Sequence, residues 1–328
     1  MVPPLSRFED ASTYWRRVSR RGTAAMALNY HILDVFTERP FGGNPLAVVL
    51  DADRLTPAEM QAIAREFNLS ETVFVLKPTA AGHTARIRIF TPTREIPFAG
   101  HPTLGAAILL ADLRVQIVNG ESDAIIALEE EIGSVRVGVR LRAGAAAFGE
   151  FDAPKITSVP EELAQPEEIS AALGLIPSEI GFENHKPMLL RGSNVFAYVP
   201  VANLEAMSKL RVAPTHWARA FTDRGTDGVY VYTRQCVRTH ASFHARMLAP
   251  DLGIPEDPAT GSAAIGFAHI IQAFDQGPDG AHKRIIEQGV EMGRPSMIQL
   301  VMTVTRGKLD SVRIGGSAVR VAEGTLKI

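Results

Sequence analysis

The chain has 328 residues, 46% of them hydrophobic and 21% charged, enough for one large domain or two of ordinary size around a substantial core. A formal net charge of −2 provides no basic field for nucleic acid or for an anionic membrane surface. One cysteine, Cys236, excludes an intrachain disulfide and a thiolate metal cluster, and fits a reducing, cytoplasmic setting.

The first residues include Arg7, Arg16, Arg17, Arg20 and Arg21 with no apolar run after them, so no secretory signal is legible; Glu9 and Asp10 argue against a transit peptide. Residues 1–28 read as an extension outside the fold, or Met26 as the true start. Asn29 to Phe36 reads as a strand, followed by a glycine turn at Phe41-Gly42-Gly43-Asn44-Pro45 and a buried strand from Leu46 to Leu50. Thr56-Pro57-Ala58-Glu59 starts a helix, with Met60, Ile63, Ala64 and Phe67 as its apolar stripe and Asn68 as its C-cap. Ser70 to Leu76 and Ala85 to Phe90 read as strands. Thr103 to Ala111 is apolar on nearly every face, which predicts a helix buried all round within a wrapped sheet. The run Gly261 to Phe274 is too short to span a bilayer.

The two halves echo each other. Gly42-Gly43-Asn44 matches Gly192-Ser193-Asn194, Ser70-Glu71-Thr72 matches Thr226-Asp227-Gly228, Arg88-Ile89-Phe90 matches Arg246-Met247-Leu248, and Thr103-Leu104-Gly105 matches Thr260-Gly261-Ser262. The offsets are 150, 156, 158 and 157 residues, in one order. Such long, collinear spacing predicts a duplicated domain rather than a solenoid, whose periods are shorter. The expected fold class is α+β: two pseudo-symmetric halves, each a barrel-like sheet around a central buried helix. The first half covers 29–145 and is completed by 315–328; the second covers 146–314.

Both buried helices begin in loops of glycine, proline and small hydroxyls, Ala99 to Thr103 and Asp257 to Ser262. A helix start offers unpaired N–H groups and partial positive charge, and two such starts facing one cleft would hold a small anionic substrate. The alternative is that Thr260 and Ser262 only cap a helix. Glu71 lies among Leu69, Val73 and Phe74, and desolvation there would raise its pKa into the range of a general base; alternatively, its carboxylate accepts backbone N–H groups in a turn. Asp257 and His101 are the other titratable groups at the helix starts, and Asp257 could serve as an N-cap. Asp227 is the mate of Glu71 by the repeat, but Thr226-Asp227-Gly228 also reads as a turn. No GxGxxG motif follows a strand, no Walker loop or HExxH pair occurs, and Gly-x-Ser-x-Gly is absent, so neither a nucleotide, a catalytic metal nor a hydrolase elbow is expected.

The motifs Glu38-Arg39-Pro40-Phe41-Gly42-Gly43-Asn44-Pro45-Leu46-Ala47-Val48, Asn68-Leu69-Ser70-Glu71, Ile89-Phe90-Thr91-Pro92, Phe98-Ala99-Gly100-His101-Pro102 and Glu256-Asp257-Pro258-Ala259-Thr260-Gly261-Ser262, with Gln288-Gly289-Val290-Glu291-Met292-Gly293-Arg294-Pro295-Ser296 near the end, resemble the PhzF (phenazine biosynthesis-like) family. The resemblance runs from about Asn29 to the C-terminus. It implies the diaminopimelate-epimerase-like fold, a homodimer, no cofactor, and isomerisation of trans-2,3-dihydro-3-hydroxyanthranilate or a similar compound by moving a proton between carbons. It implies Glu71 as the acid–base group, His101 and Asp257 as polar partners in catalysis, and Asn44, Gly100, Gly261 and Ser262 around the substrate. The wider superfamily includes racemases with a cysteine at each helix start. Neither start has one here, which excludes a two-thiol racemase and makes proton transfer by one carboxylate the economical alternative. An epimerase using Glu71 and a second acid, and a non-catalytic binding protein, are the competing expectations.

Overall fold

The computed structural model describes residues 27–192 and 194–328; the arginine-rich segment up to Met26, and Ser193 of the second glycine turn, lie outside the described residues. The chain opens with β1 (Ala27–Val35), β2 (Asn44–Val49), α1 (Pro57–Phe67), β3 (Glu71–Leu76), β4 (Ala85–Phe90) and β5 (Glu95–Ile96). It continues with α2 (Gly100–Arg114), β6 (Glu121–Glu130), β7 (Gly133–Arg142) and β8 (Ala147–Asp152). After the short β9 (Glu161–Glu162) come α3 (Pro166–Leu173), β10 (Met188–Arg191), β11 (Val195–Pro200), α4 (Leu204–Lys209) and α5 (Pro214–Ala220). The rest is β12 (Gly228–Thr233), β13 (Phe243–Ala249), β14 (Ile254–Asp257), α6 (Gly261–Asp275), β15 (Gly280–Gln288), β16 (Ser296–Thr305) and β17 (Lys308–Lys327). This mixed sheet with segregated helices is an α+β fold.

The local signals act as their chemistry requires. Thr56 and Glu59 close a capping box on α1 behind Pro57, and Asn68 ends the helix at φ 51°. Every residue of α2 from Gly100 to Ala111 is buried, because strands β1, β2, β3, β6, β7, β8 and β17 all pack against it. The second apolar helix, α6, packs against β11, β16 and β17, and meets α2. Both helices lie in one continuous core; smaller clusters sit beneath α1 and beneath the α3–α5 layer.

The strand pairings run in two series. In the first, β1 is antiparallel to β2, β2 parallel to β3, β3 antiparallel to β4, and β4 antiparallel to β5 but parallel to β6. In the second, β10 is antiparallel to β11, β11 parallel to β12, β12 antiparallel to β13, and β13 antiparallel to β14 but parallel to β15. The final strand joins the two: its first part pairs with β16, its middle with β8, and residues 318–327 with β1.

Two sequence echoes shift when set on this frame. Glu71 faces Leu46 across the parallel ladder, and at the same place in the second series Gly228, not Asp227, faces Phe196. Thr103 lies inside the first turn of α2, whereas Thr260 precedes α6. Helix start therefore matches helix start at Gly100 and Gly261, and the Thr103–Thr260 echo is displaced by about one turn of helix.

Candidate active site

The site is assembled from chain segments that end or begin regular elements. Asn44 is the first residue of β2 and is aimed by the turn before it. Gly43 in that turn has φ +63°, and a side-chain carbon there would sit 2.2 Å from the Val35 carbonyl oxygen, so only glycine fits. Glu71 is the first residue of β3, delivered by the left-handed C-cap of α1 and by Ser70. His101 is the second residue of α2, and Asp257 the last of β14.

Gly100 and Gly261 bring the two helix starts together. A Cβ on Gly100 would lie 3.1 Å from the Gly261 Cα, and one on Gly261 would lie 3.2 Å from the Gly100 Cα. The backbones thus touch, and neither helix has a side-chain cap. Thr260 stands at the N-cap position of α6, but its hydroxyl donates to Asp257 Oδ2 at 2.5 Å. The capping alternative therefore fails for Thr260, and the first N–H groups of both helices remain open to an anion. Ser262 lines the cleft beside them.

Asp257 is not an N-cap either. Its Oδ1 accepts from Asn44 Nδ2 at 2.9 Å and from Ser70 Oγ at 3.1 Å, while Oδ2 accepts from Thr260. The same Asn44 nitrogen donates to the Ala259 carbonyl at 3.0 Å and lies 3.4 Å from His101 Nδ1. The two hydrogens of that nitrogen go to Asp257 and Ala259, and its approach to Nδ1 disfavours a proton there, which favours the Nε2–H tautomer. His101 Nε2 is 3.4 Å from Glu71 Oε2, and neither of these buried atoms has a hydrogen-bond partner among the described residues. Glu71 thus does not take the turn-stabilising role open to it in the sequence.

Burial sets the protonation states. It pushes His101 down to about 3, so the imidazole is neutral at physiological pH. It raises Asp257 to about 6 against the downward pull of the three donors and with a small push from Glu256. Glu71 rises well above the ordinary carboxyl range, first through burial and then through the neighbouring Asp257 charge. Asp257, holding three donors, takes the first negative charge of this pair; Glu71, with none, is the stronger base.

The walls of the cleft are Ile96, Phe98, Phe196, Met247 and Ile254, with Arg94 and Asn194 also on its lining. Asp227 lines it too, but its Oδ2 accepts the Val195 N–H at 2.8 Å, which fixes it as a turn residue ahead of β12. Cys236 is elsewhere, its thiol pushed up by burial to about 11. Among the described residues, no group of three or more His, Cys, Asp or Glu side chains is placed to hold a metal ion, and no helix is long and apolar enough to cross a membrane. All seven residues singled out in the sequence gather at this one place. Ser70 was passed over, hidden beside Glu71 without a signal of its own, and Gln288, which reaches the backbone carbonyl of Asp257 at 2.8 Å, stood in a motif with no assigned role.

Residues 33–324 match the family model described as phenazine biosynthesis-like protein, PhzC-PhzF. The chain is 52% identical over 304 residues to an uncharacterized isomerase of Mesorhizobium japonicum, covering 92% of this chain and 99% of that one. It is 35% identical over 298 residues to the trans-2,3-dihydro-3-hydroxyanthranilate isomerase of Pseudomonas fluorescens, covering 91% and 99%. Its structure resembles a PhzF-family phenazine biosynthesis protein of Bacillus anthracis with TM-score 0.81 at 25% identity, covering 92% of this chain and all of the other.

Proposed function

Because the chain belongs to the phenazine biosynthesis-like PhzC-PhzF family and is an isomerase, we propose that it moves a C–H proton within a small carboxylate-bearing substrate, with Glu71 as the acid–base group. The observation that carries this reading is the Glu71 carboxyl, its Oε2 buried and unpartnered among the described residues and its pKa raised, in a cleft lined by the starting residues of two abutting helices.

The substrate carboxylate docks on the free N–H groups around Gly100 and Gly261, where two helix dipoles add to the attraction. Ionised Glu71 takes a proton from one carbon. The electron pair left behind is delocalised into the conjugated system, and the Nε2–H of neutral His101 lies ready to hydrogen-bond the developing charge. Glu71, now protonated, returns the proton to a second carbon. One C–H bond breaks and one forms, nothing is oxidised or reduced, and no cofactor enters the step. Asp257 stays ionised and, as a like charge, keeps Glu71 basic. A compound of the trans-2,3-dihydro-3-hydroxyanthranilate type, the substrate named for the Pseudomonas fluorescens relative, has the required carboxylate.

The two matching series of strand pairings support a duplicated fold of the diaminopimelate-epimerase-like type, with halves 29–145 plus 315–328 and 146–314. The same reading includes a cytoplasmic homodimer. Its chemistry is tested by turnover of trans-2,3-dihydro-3-hydroxyanthranilate in D₂O. Glu71→Gln keeps the shape of the side chain but removes the base, so kcat should fall by about 10²–10⁴-fold or more. Undiminished turnover by this variant would sink the assignment.

A further inference from the structure

Buried polar groups remain around Gln288–Ser296, a segment that the chemistry above does not use. Gln288, the last residue of β15, is fully buried. Its Nε2 donates to the Asp257 carbonyl at 2.8 Å and to Thr260 Oγ1 at 3.0 Å, and its Oε1 accepts the Thr260 N–H at 3.2 Å. Six residues on, Arg294 spreads its guanidinium over the other half of the site. Its Nε donates to Gly43 O at 2.8 Å, and its Nη2 to Gly42 O at 2.7 Å and to Asp34 Oδ1 at 2.5 Å.

Backbone contacts follow the same division. Gly289 has φ +72°, and a Cβ there would be 2.6 Å from the Pro258 carbonyl oxygen. At the other end, Pro295 O accepts the Gly43 N–H at 3.2 Å. The segment closes on itself through Arg294 N–H to Gly289 O at 3.0 Å. It is anchored below by His244, which lies between Glu287 at 2.8 Å and Glu291 at 2.9 Å. Burial alone would neutralise this imidazole, but the two carboxylates outweigh it and hold His244 charged, at about 9.

We infer that Gln288 and Arg294 are positioning residues for Asp257: one segment clamps the Asp257–Thr260 turn at one end and the Gly42–Asn44 turn at the other, so that Thr260 and Asn44 converge on the same carboxylate. By accepting from Gln288 at its oxygen and losing its N–H to the same amide, Thr260 is left with its hydroxyl proton for Asp257 and does not cap α6. Arg294, which cannot contact Asp257 through the turn, acts by holding the carbonyls just before Asn44. The inference rests on the function proposed above for its kinetic consequence, but its structural content is readable without any substrate.

The groups facing Asp257 are Glu71 from β3, His101 from α2, Glu256 from its own strand and Tyr230 from β12, with Asn44, Ser70 and Thr260 as donors. Carboxyl ¹³C resonances should therefore be titrated in the full chain, with the Asp257 signal identified by its loss in Asp257→Asn. In Gln288→Met, which keeps the volume and removes the hydrogen bonds, the Asp257 midpoint should rise from about 6 by roughly half a unit to one unit, because its anion loses a directed donor. Arg294→Lys, which keeps the charge and loses the fork, should move it the same way. Where substrate is turned over, kcat should fall about 10–100-fold in both variants with KM little changed. That loss should be largely absent when the substitutions are made in an Asp257→Asn background. An unshifted Asp257 midpoint in folded Gln288→Met and Arg294→Lys overturns the inference. So does a kcat loss that is fully additive with Asp257→Asn. Failure of the substrate assay in the unsubstituted protein would instead count against the proposed function and leave the titration decisive.

Discussion

Of the three carboxyls lining the cleft, Asp227 is tied to the Val195 N–H, and the surroundings of the other two set them apart. Asp257 accepts three hydrogen bonds, whereas Glu71 Oε2 accepts none, so charge settles on Asp257 and basicity on Glu71. The sign of the pH dependence follows. In the proposed reaction Glu71 must be ionised to take a proton from carbon, and both burial and the Asp257 charge raise its pKa. Activity should therefore rise with pH through a midpoint above the ordinary carboxyl value of 4.5. Asp257→Asn removes the like charge, so the acid limb of kcat/KM should move to lower pH, even as the rate falls. A limb that stays in place in Asp257→Asn would show that the two groups are not coupled. At this scale the sequence singled out Glu71, because its neighbours Leu69, Val73 and Phe74 favour desolvation, but it left a turn-stabilising role equally open. It was uninformative about Ser70 and Gln288, since a hydrogen bond between residues 187 or 31 positions apart leaves no local mark.

Among the elements, α2 and α6 decide the geometry. Both were legible as helices from their largely apolar character, interrupted in α6 by His269 and Gln272, and their buried faces follow from the strands packed around them. Their starting residues were harder to place. The paired threonines suggested one alignment, but Thr103 bonds back to Ala99 within the helix while Thr260 turns outward to Asp257. Similar composition in a first turn and in a cap loop conceals a shift of this size. The contact that matters is between Gly100 and Gly261, where an added methyl meets backbone rather than a movable side chain. Gly261→Ala should therefore separate the helix starts by a few tenths of an ångström and lower kcat/KM by about 10–100-fold, since misplacement on this scale is enough to spoil alignment. Melting temperature and steady-state kinetics, measured together, check this: a folded Gly261→Ala protein with unaltered kcat/KM would mean that the close approach has no part in catalysis.

On the scale of the molecule, the parallel-then-antiparallel order of strands around each buried helix recurs, and β17 crosses from one series to the other. The echoes in sequence were enough to suggest this because glycine turns and strand starts are constrained by backbone geometry. They blurred at Glu71, whose ladder counterpart is Gly228 rather than Asp227, the latter being bonded to Val195 in the turn before it. The result is a cleft to which one series of strands brings Glu71 and the other brings Asp257. The central claim is that one carboxylate both removes and returns the proton. It is tested most directly with substrate deuterated at the carbon that loses its hydrogen, turned over in ordinary water. A single half-buried carboxyl, closed over by bound substrate, should carry part of the deuterium to the new carbon of the product. Complete washout of the label at the earliest turnovers would contradict the account and favour a second acid supplying the proton from solvent.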